Sequence, residues 1–286
     1  MNEPRDIDGL TQMQDILPTL IDLCSLNDAE TDGFDGLSLA GALRGSCPVP
    51  ADRTLFINYS RMPNFDFPTP ASQAVMRKEE TAVLWQRWRL IENSALYNLE
   101  RDPLQEHNVI DEYPQIARML SQRLDAWWES VESLANEPQA VTIGSDHENP
   151  TILTGCEWRD VFLDQQQQIR AGVYKNSYWH LDVDRPGTYR FELRRWPFEA
   201  DLPLSQPAPE ETLVDGILPC GRSIPIAGAR IHIAGHDQRV DLEPEAKSAV
   251  FTLSLPAGPA LLHTWFLDEA GQGLTGAYYV KVTRLT

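Results

Sequence analysis

Few residues of this chain have the types and the spacing that catalysis requires. The sequence contains no G-x-S-x-G nucleophile turn, no Walker phosphate loop, no G-x-G-x-x-G and no H-E-x-x-H zinc motif. His232 and His236 are four residues apart, but on a predicted strand and turn rather than on a helix. We therefore interpret these two histidines as exposed polar positions and not as a metal pair.

Two groups of acidic residues near the start of the chain could bind a cation. The stretch 28–33 (DAETDG) resembles the start of a calcium loop, but Leu39 stands where the bidentate Glu is needed, so we interpret it as a solvated turn. Asp6, Asp8 and Asp15 precede a predicted helix. Carboxylates there accept backbone N–H bonds and meet the positive end of the helix dipole, which is the interpretation we prefer.

The second half of the chain holds aromatic side chains that could stack on a sugar ring. They are Trp158, Trp179, Trp196, Trp265, Tyr278 and Tyr279. Strand alternation points Trp179 inward and leaves Trp265 ambiguous, and most of the six are expected in the core. One candidate ligand-binding group remains, namely Trp196 beside Arg194 and Arg195.

The first half of the chain predicts helices around a small antiparallel sheet. Apolar spacing favours a helix over 7–26, and Pro18 makes Asp15 and Ile16 its expected entry. A short helical turn is expected over 37–43, ended by Gly45. The strand candidates are 54–59, 74–79, 82–91 and 95–99, and a helix from Tyr113 to about Leu134 is expected to cover them.

Beyond a predicted linker at 136–139 the pattern changes to short strands with turn signals, which is typical of an all-β sandwich. Residues 179–184 and 189–194 alternate apolar and polar side chains around Arg185-Pro186-Gly187-Thr188. This pattern predicts a hairpin closed by a type II turn. Further strands are expected at 229–233, 249–255, 261–267 and 277–285. The predicted domains are therefore 1–138, with a small α+β fold, and 139–286, with a β-sandwich.

Composition excludes several classes of partner. The 286 residues carry 24 Lys and Arg against 42 Asp and Glu, a net charge of −18, so binding to nucleic acid or to an anionic membrane surface is disfavoured. No apolar run is long enough for a membrane span, and the first residues have no signal-peptide pattern. The four cysteines (Cys24, Cys47, Cys156 and Cys220) lie far apart, which disfavours a zinc site or a dense disulfide framework.

Two passages of the first half resemble motifs of type I sulfatases, the arylsulfatase class. Residues 15–24 (DILPTLIDLC) and 34–39 (FDGLSL) resemble the family's D-x-x-P-T-L-x-D-L and D-G-x-S-L passage. Residues 88–91 (WRLI), 95–103 (ALYNLERDP) and His107-Asn108 resemble K-L-I and E-L-Y-D-L-x-x-D-P-x-E-x-x-N. The resemblance covers about 6–131, with departures at Arg89 for Lys, Ala95 for Glu, Asn98 for Asp and Gln105 for Glu.

The resemblance implies the small C-terminal subdomain of a sulfatase, packed against a large α/β domain that holds the catalytic site. The family's chemistry uses a formylglycine made within C/S-x-P-x-R and a divalent cation, usually calcium. Ser46-Cys47-Pro48-Val49-Pro50 is the nearest match, and Pro50 replaces the required Arg. No catalytic residue, metal ligand or cofactor ligand is therefore assigned in this chain, which we expect to be inactive alone.

The resemblance further implies that the missing partner is the N-terminal sulfatase domain, which leaves the 17–23 helix with an exposed apolar face. The substrate of the parent protein would be an aryl or carbohydrate sulfate, and a sulfated glycan is a possible ligand. Two alternatives stay open for the chain itself. It could be a non-catalytic module that binds a glycan or a protein through the sandwich, or the sandwich could merely stabilise the first domain. The sequence leaves the cellular location open.

Overall fold

The computed structural model describes residues 6–26, 33–59, 68–70 and 75–286, of which more lie in strands than in helices. The chain divides into two compact units, one of Met1–Arg61 and Val75–Glu137, the other of Met62–Ala74 and Pro138–Thr286. Within the described residues, no helix has the length and hydropathy that crossing a membrane requires.

Two short helices open the first unit. A 3-10 turn at Met13–Asp15 leads into α1 (Ile16–Leu23), so the helix starts where Pro18 predicts. Residues 7–12 were predicted to be helical as well, and they are not. Pro18 lies in the first turn of α1, where a missing N–H costs no hydrogen bond. The helix α2 (Ala40–Arg44) ends at Gly45, whose φ of 76° gives the left-handed cap that glycine favours.

A four-stranded antiparallel sheet and one long helix form the rest of the first unit. The strands follow chain order, and α3 packs on them around a core that includes Leu90, Leu96, Leu120 and Leu124. The elements are β1 (Thr54–Asn58), β2 (Thr81–Trp85), β3 (Trp88–Ile91), β4 (Ala95–Asn98) and α3 (Pro114–Ala135).

Two strand predictions in this sheet are wrong. Residues 75–77 are irregular and Lys78–Glu80 form a 3-10 turn, so 74–79 is not a strand, and Ala74 itself lies outside the described residues. The run 82–91 is not one strand but the hairpin of β2 and β3, in which Trp85 pairs with Trp88. Gln86, at φ 49°, makes the tight turn without any Gly, Pro or Asn signal in the sequence.

The second unit contains two large sheets that share one core and a separate two-stranded sheet. One sheet has the order β12-β11-β14-β7-β5 with β15 beside β14, and the other has the order β13-β8-β16-β6. Its elements are β5 (Val141–Ile143), β6 (Thr151–Thr154), α4 (Gln166–Ala171), β7 (Tyr178–Val183), β8 (Gly187–Arg194), β9 (Glu211–Leu213), β10 (Gly216–Leu218), β11 (Gly228–Ile233), β12 (His236–Asp241), β13 (Ala249–Leu255), β14 (Gly258–Leu267), β15 (Gly273–Thr275) and β16 (Tyr279–Arg284).

The predicted hairpin at 179–194 is wrong in its pairing. β7 belongs to the six-stranded sheet and β8 to the four-stranded sheet, so the connection crosses between the sheets instead of closing a ladder. The turn is not type II, because Gly187 does not have a positive φ. The alternation itself is confirmed, since Trp179 on one sheet and Phe191 on the other both point into the shared core.

Candidate functional site

The two halves of the first motif passage, residues 15–24 and 34–39, are hydrogen-bonded to each other. The Leu37 N–H donates to Asp15 Oδ1 at 2.9 Å, and the Leu39 N–H donates to Thr19 Oγ1 at 2.8 Å. The Thr19 hydroxyl in turn donates to the Asp15 carbonyl at 2.6 Å, and Ser38 donates to Asp22 Oδ2 at 2.6 Å. Aspartate, threonine and serine are therefore needed at these positions to attach the 34–39 loop to α1.

Asp15 is the buried centre of this arrangement. Arg53 donates to both of its carboxylate oxygens, at 2.7 and 2.5 Å, and the Gln12 N–H donates to Oδ2 at 2.8 Å. Burial alone would raise the pKa of Asp15, but the hydrogen bonds from Arg53, Leu37 and Gln12 outweigh it and lower that pKa. We expected the Asp15 carboxylate to cap α1. It does not, because its side chain makes no hydrogen bond to the N–H groups of that helix.

The second motif passage is also held together by polar side chains. Asn108 Oδ1 accepts the N–H groups of Leu96 at 3.0 Å and Ile110 at 3.1 Å, and its amide donates to the Ser94 carbonyl. The Asp102 carboxylate accepts hydrogen bonds from the Glu106 and His107 N–H groups. These contacts fix the chain between β4 and α3, so the motif residues position backbone and do not face an open cleft.

Two departures from the motif contact each other. Arg89 on β3 donates to Gln105 Oε1 at 3.2 Å. Arg89 stands in a Lys position of the motif and Gln105 in a Glu position. This charge-assisted hydrogen bond joins β3 to the loop after β4.

The face of α1 that points away from this arrangement is apolar and uncovered. We call Met13, Ile16, Leu17, Leu20 and Leu23 the docking face. Their exposed fractions run from 38% for Leu23 to 78% for Met13. A groove of about 560 Å³ lies along it, with Leu39 and Leu43 on the other wall. Contiguous exposed apolar side chains of this kind are uncommon on the surface of a folded protein and mark interaction sites.

One cluster of ionisable side chains has the spacing of a cation site, but its central carboxylate is already engaged in hydrogen bonds. Among the described residues the ligand atoms of Asp102, Glu106 and His107 come within 4.8 Å of one another. Both Asp102 oxygens already accept backbone bonds, from Glu106 N–H at 3.1 Å and His107 N–H at 2.9 Å, and the bond from His107 contributes most to lowering the pKa of Asp102. The cluster is thus a loop cap on an exposed surface.

The structure also bears on the residues that the sequence analysis considered, and rejected, as cation ligands. His232 lies on the outward face of β11, whereas His236 pairs with the inward residue Ile233 and bonds to the Ser254 carbonyl at 2.9 Å. The two imidazoles are therefore on opposite faces of the sheet, in agreement with the interpretation that they are no metal pair. The calcium-like stretch 28–33 lies outside the described residues except for Gly33.

The predicted stacking platform at Trp196 is not available on the surface, and this corrects the expectation. Trp196 is only 2% exposed, its Nε1 donates to the Gln206 carbonyl at 3.1 Å, and the Arg195 guanidinium lies 4.2 Å from its ring centroid. The sequence suggested an accessible indole because Trp196 follows the end of β8 and is flanked by arginine and proline. The loops of the sandwich fold over it.

Arg195 is held by backbone carbonyls, and Arg194 is held by a carboxylate and an aromatic ring. Arg195 is fully buried, and its pKa falls to about 10, because burial disfavours its charge. Its guanidinium donates to carbonyls of helix α4 and of two loops, the shortest bond being to Arg222 at 2.6 Å. Arg194 pairs with Glu192 of its own strand at 2.7 Å and lies over the Phe198 ring. The three predicted residues are neighbours, but their polar groups are engaged within the fold.

Sequence reasoning missed Arg53, and it missed a row of rings on the outward face of the six-stranded sheet. Nothing in the spacing of Arg53 relative to Asp15 signals that they meet. The row includes Tyr178 and His263, which lie opposite each other on β7 and β14. Alternation on β14 could have placed His263 and Trp265 on one face, but only the pairing shows which rings of other strands lie beside them.

No family model matches this chain, and no curated protein matches it. Among solved structures, a ruminal GH26 endo-beta-1,4-mannanase is similar over 49% of this chain and 26% of its own, with 10% identity and a TM-score of 0.29. Protein YxiM of Bacillus subtilis is similar over 48% and 30%, with 13% identity and a TM-score of 0.22. The chain thus spans less than a third of either structure. Likenesses this weak carry no argument about fold or function.

Proposed function

We propose that this chain is the C-terminal part of a sulfatase-like protein whose parent hydrolyses aryl or carbohydrate sulfate esters. The chain supplies the small subdomain and an accessory β-sandwich, and the docking face of α1 packs on the catalytic domain. The observation that carries the proposal is the bonding of the two motif halves, in which Asp15 and Thr19 hold Leu37 and Leu39.

The docking face supports the same proposal. A helix with Leu17 55% exposed and Leu20 50% exposed presents apolar surface that a stable fold normally covers. Asp22 and Ser38 keep the polar side of the helix turned to its own loop. The free side is therefore the one on which a large α/β domain would pack, and burial of two such leucines stabilises the contact by about 2–3 kcal/mol in all.

The chain's own residues do not fit the formylglycine or the calcium ion of the sulfatase family. Pro50 stands in the Arg position after Ser46-Cys47-Pro48. Asp102, the centre of the one cluster described above, uses both oxygens for backbone bonds. Both groups would belong to the catalytic domain of the parent, and this chain alone is expected to show no sulfatase activity.

The test is to sequence the DNA immediately upstream of the Met1 codon and to assay the longer product. We expect an open frame that encodes C/S-x-P-x-R and paired Asp residues. The longer protein should then hydrolyse 4-nitrocatechol sulfate, and the present chain should not. A stop codon with a ribosome-binding site just before Met1 would overturn the proposal, and so would an open frame without those residues.

A second test asks whether the docking face packs on the rest of the longer protein, and it does not depend on sulfatase activity. Leu17→Asp with Leu20→Asp should lower its melting temperature and its yield of soluble protein. Val250→Asp is the matched control, since Val250 is an apolar residue of β13 that is 41% exposed in the other unit. Equal effects of the leucine and valine variants would show that the α1 face has no partner in the parent.

A further inference from the structure

A row of rings crosses the outward face of the six-stranded sheet. We call it the aromatic strip, and it consists of His180, Tyr178, His263, Trp265 and Arg230, all half-buried. The strip spans the neighbouring strands β7, β14 and β11. Tyr178 is directly opposite His263, and Arg230 is directly opposite Trp265. Because side chains alternate along each strand, all of them point away from the shared core.

The members of the strip touch in sequence. The Tyr178 ring meets the His180 ring at 5.6 Å and the His263 ring at 6.1 Å, both in edge-on geometry. His263 lies 3.9 Å from Trp265, and the Arg230 guanidinium lies 4.6 Å from the indole centroid. Contacts of this kind orient each ring, so the strip is formed before any ligand arrives.

The strip carries little net charge at neutral pH, although the whole chain is at −18. Arg230 is paired with Asp237 through two bonds of 2.7 and 2.5 Å. Burial, with smaller contributions from His232 and Arg230, lowers the pKa of His263 to about 4. Burial and the nearby Arg159 also lower the pKa of His180. Both imidazoles are therefore neutral at pH 7.

His263 also has hydrogen-bonding capacity that the fold does not use. Its Nε2 is shielded from solvent and has no hydrogen-bond partner among the described residues. An enclosed polar atom without a partner is costly, so such atoms are uncommon in folded proteins. Because this nitrogen is enclosed, it adds to the cost of folding and is not itself a contact for a ligand.

We propose that the aromatic strip binds a neutral pyranose chain. The C–H face of a pyranose packs on Tyr178 and Trp265, while its hydroxyls reach the Tyr178 phenol. The near absence of net charge matches a neutral ligand, and the net charge of −18 of the whole chain disfavours sulfated or carboxylated polymers. A peptide partner fits less well, because the strip itself is made of aromatic and polar side chains.

The scaffold of the strip suits this role. β11, β14 and β7 are interior strands of their sheet, with ladder partners on both sides. Their backbone groups are thus engaged in the sheet, and only side chains are free to recognise a ligand. This site is independent of Trp196 and of the proposed sulfatase relationship.

The experiment is native affinity electrophoresis of the full chain in gels that contain a soluble polysaccharide. Hydroxyethyl cellulose and galactomannan are the neutral probes, and carboxymethyl cellulose and dextran sulfate are the anionic ones. The variants are Trp265→Ala, Trp265→Phe and Tyr178→Ala. Trp128→Ala is the matched control, since Trp128 is a half-buried indole on α3 in the other unit. Circular dichroism and a melting curve confirm that each variant is folded.

We expect at least one neutral polymer to retard the wild type and Trp128→Ala. Trp265→Ala should raise the dissociation constant about tenfold, which corresponds to about 1.4 kcal/mol, and Trp265→Phe should lie closer to the wild type. If Trp265→Ala does not fold, Tyr178→Ala gives the same test. Retardation by neither neutral polymer, retardation by the anionic polymers alone, or wild-type retardation of the folded strip variants would each overturn the proposal.

Discussion

Arg53 and Asp15 form a two-bond ion pair in which both side chains are almost completely enclosed, with exposed fractions of 6% and 1%. The pair lies 38 positions apart in the sequence and joins the start of α1 to the segment before β1. The same carboxylate holds the Leu37 N–H. One residue of the motif passage thus fixes three separate segments of the first unit.

Replacing Asp15 should destabilise the chain strongly. Asp15→Ala leaves the Arg53 guanidinium enclosed without its counterion, and the expected loss is about 3–5 kcal/mol in the free energy of unfolding. Urea unfolding at pH 7 measures it, with Asp8→Ala as control because Asp8 is exposed. A loss below 1 kcal/mol would show that the pair is not enclosed in solution.

Charging the docking face should not destabilise the chain itself. Leu17→Glu with Leu20→Glu changes side chains that are about half exposed, so the free energy of unfolding should stay within about 0.5 kcal/mol per site. The variant should bind less of the dye ANS and self-associate less in light scattering, because the apolar patch is smaller. Val250→Glu, the matched change on β13, should alter dye binding less. A large loss of stability would mean that the chain covers this face itself.

Replacing Trp196 should act on stability. Trp196→Ala removes an indole that is 2% exposed, and the resulting cavity should cost about 3–5 kcal/mol in the free energy of unfolding. Trp265→Ala, at a half-buried position, should cost clearly less. Urea denaturation of both variants gives the comparison. Equal, small losses would contradict the burial of Trp196.

The stability of the chain should fall as the pH is lowered from about 6.5 to about 4, partly through His263. Its pKa in the folded chain is about 4 against an ordinary 6.5, so in this window the unfolded state binds more protons than the folded state. Stability present above pH 6.5 is therefore lost on acidification. Urea midpoints at pH 7 and pH 5 should differ less for His263→Gln than for the wild type.

The control for the pH series is His107→Gln, because His107 is exposed and lies in the other unit. It should keep the wild-type difference between the two midpoints. If His263→Gln showed the same difference as the wild type, the enclosure of this imidazole would be contradicted.

Much of the local structure follows from the order of residues alone. Pro18 predicts the start of α1, Gly45 the end of α2, and Pro114 the start of α3, because each restricts the backbone where it stands. The alternation of apolar side chains also predicts which residues of β7, β8 and β13 face the core. These signals are local, and so they can be read without knowing what lies across from them.

Pairing and enclosure are not local, and only the tertiary structure decides them. The same alternation in 179–194 fits a hairpin within one sheet or a crossing between two sheets, and β7 and β8 adopt the second. The sequence favoured Trp196 as an accessible ring and left Trp265 ambiguous, yet loops enclose the first and leave the second on the aromatic strip. The sequence thus determined several helix ends and the apolar faces of several strands. The tertiary structure decided which faces meet, because burial depends on residues that are distant in the chain.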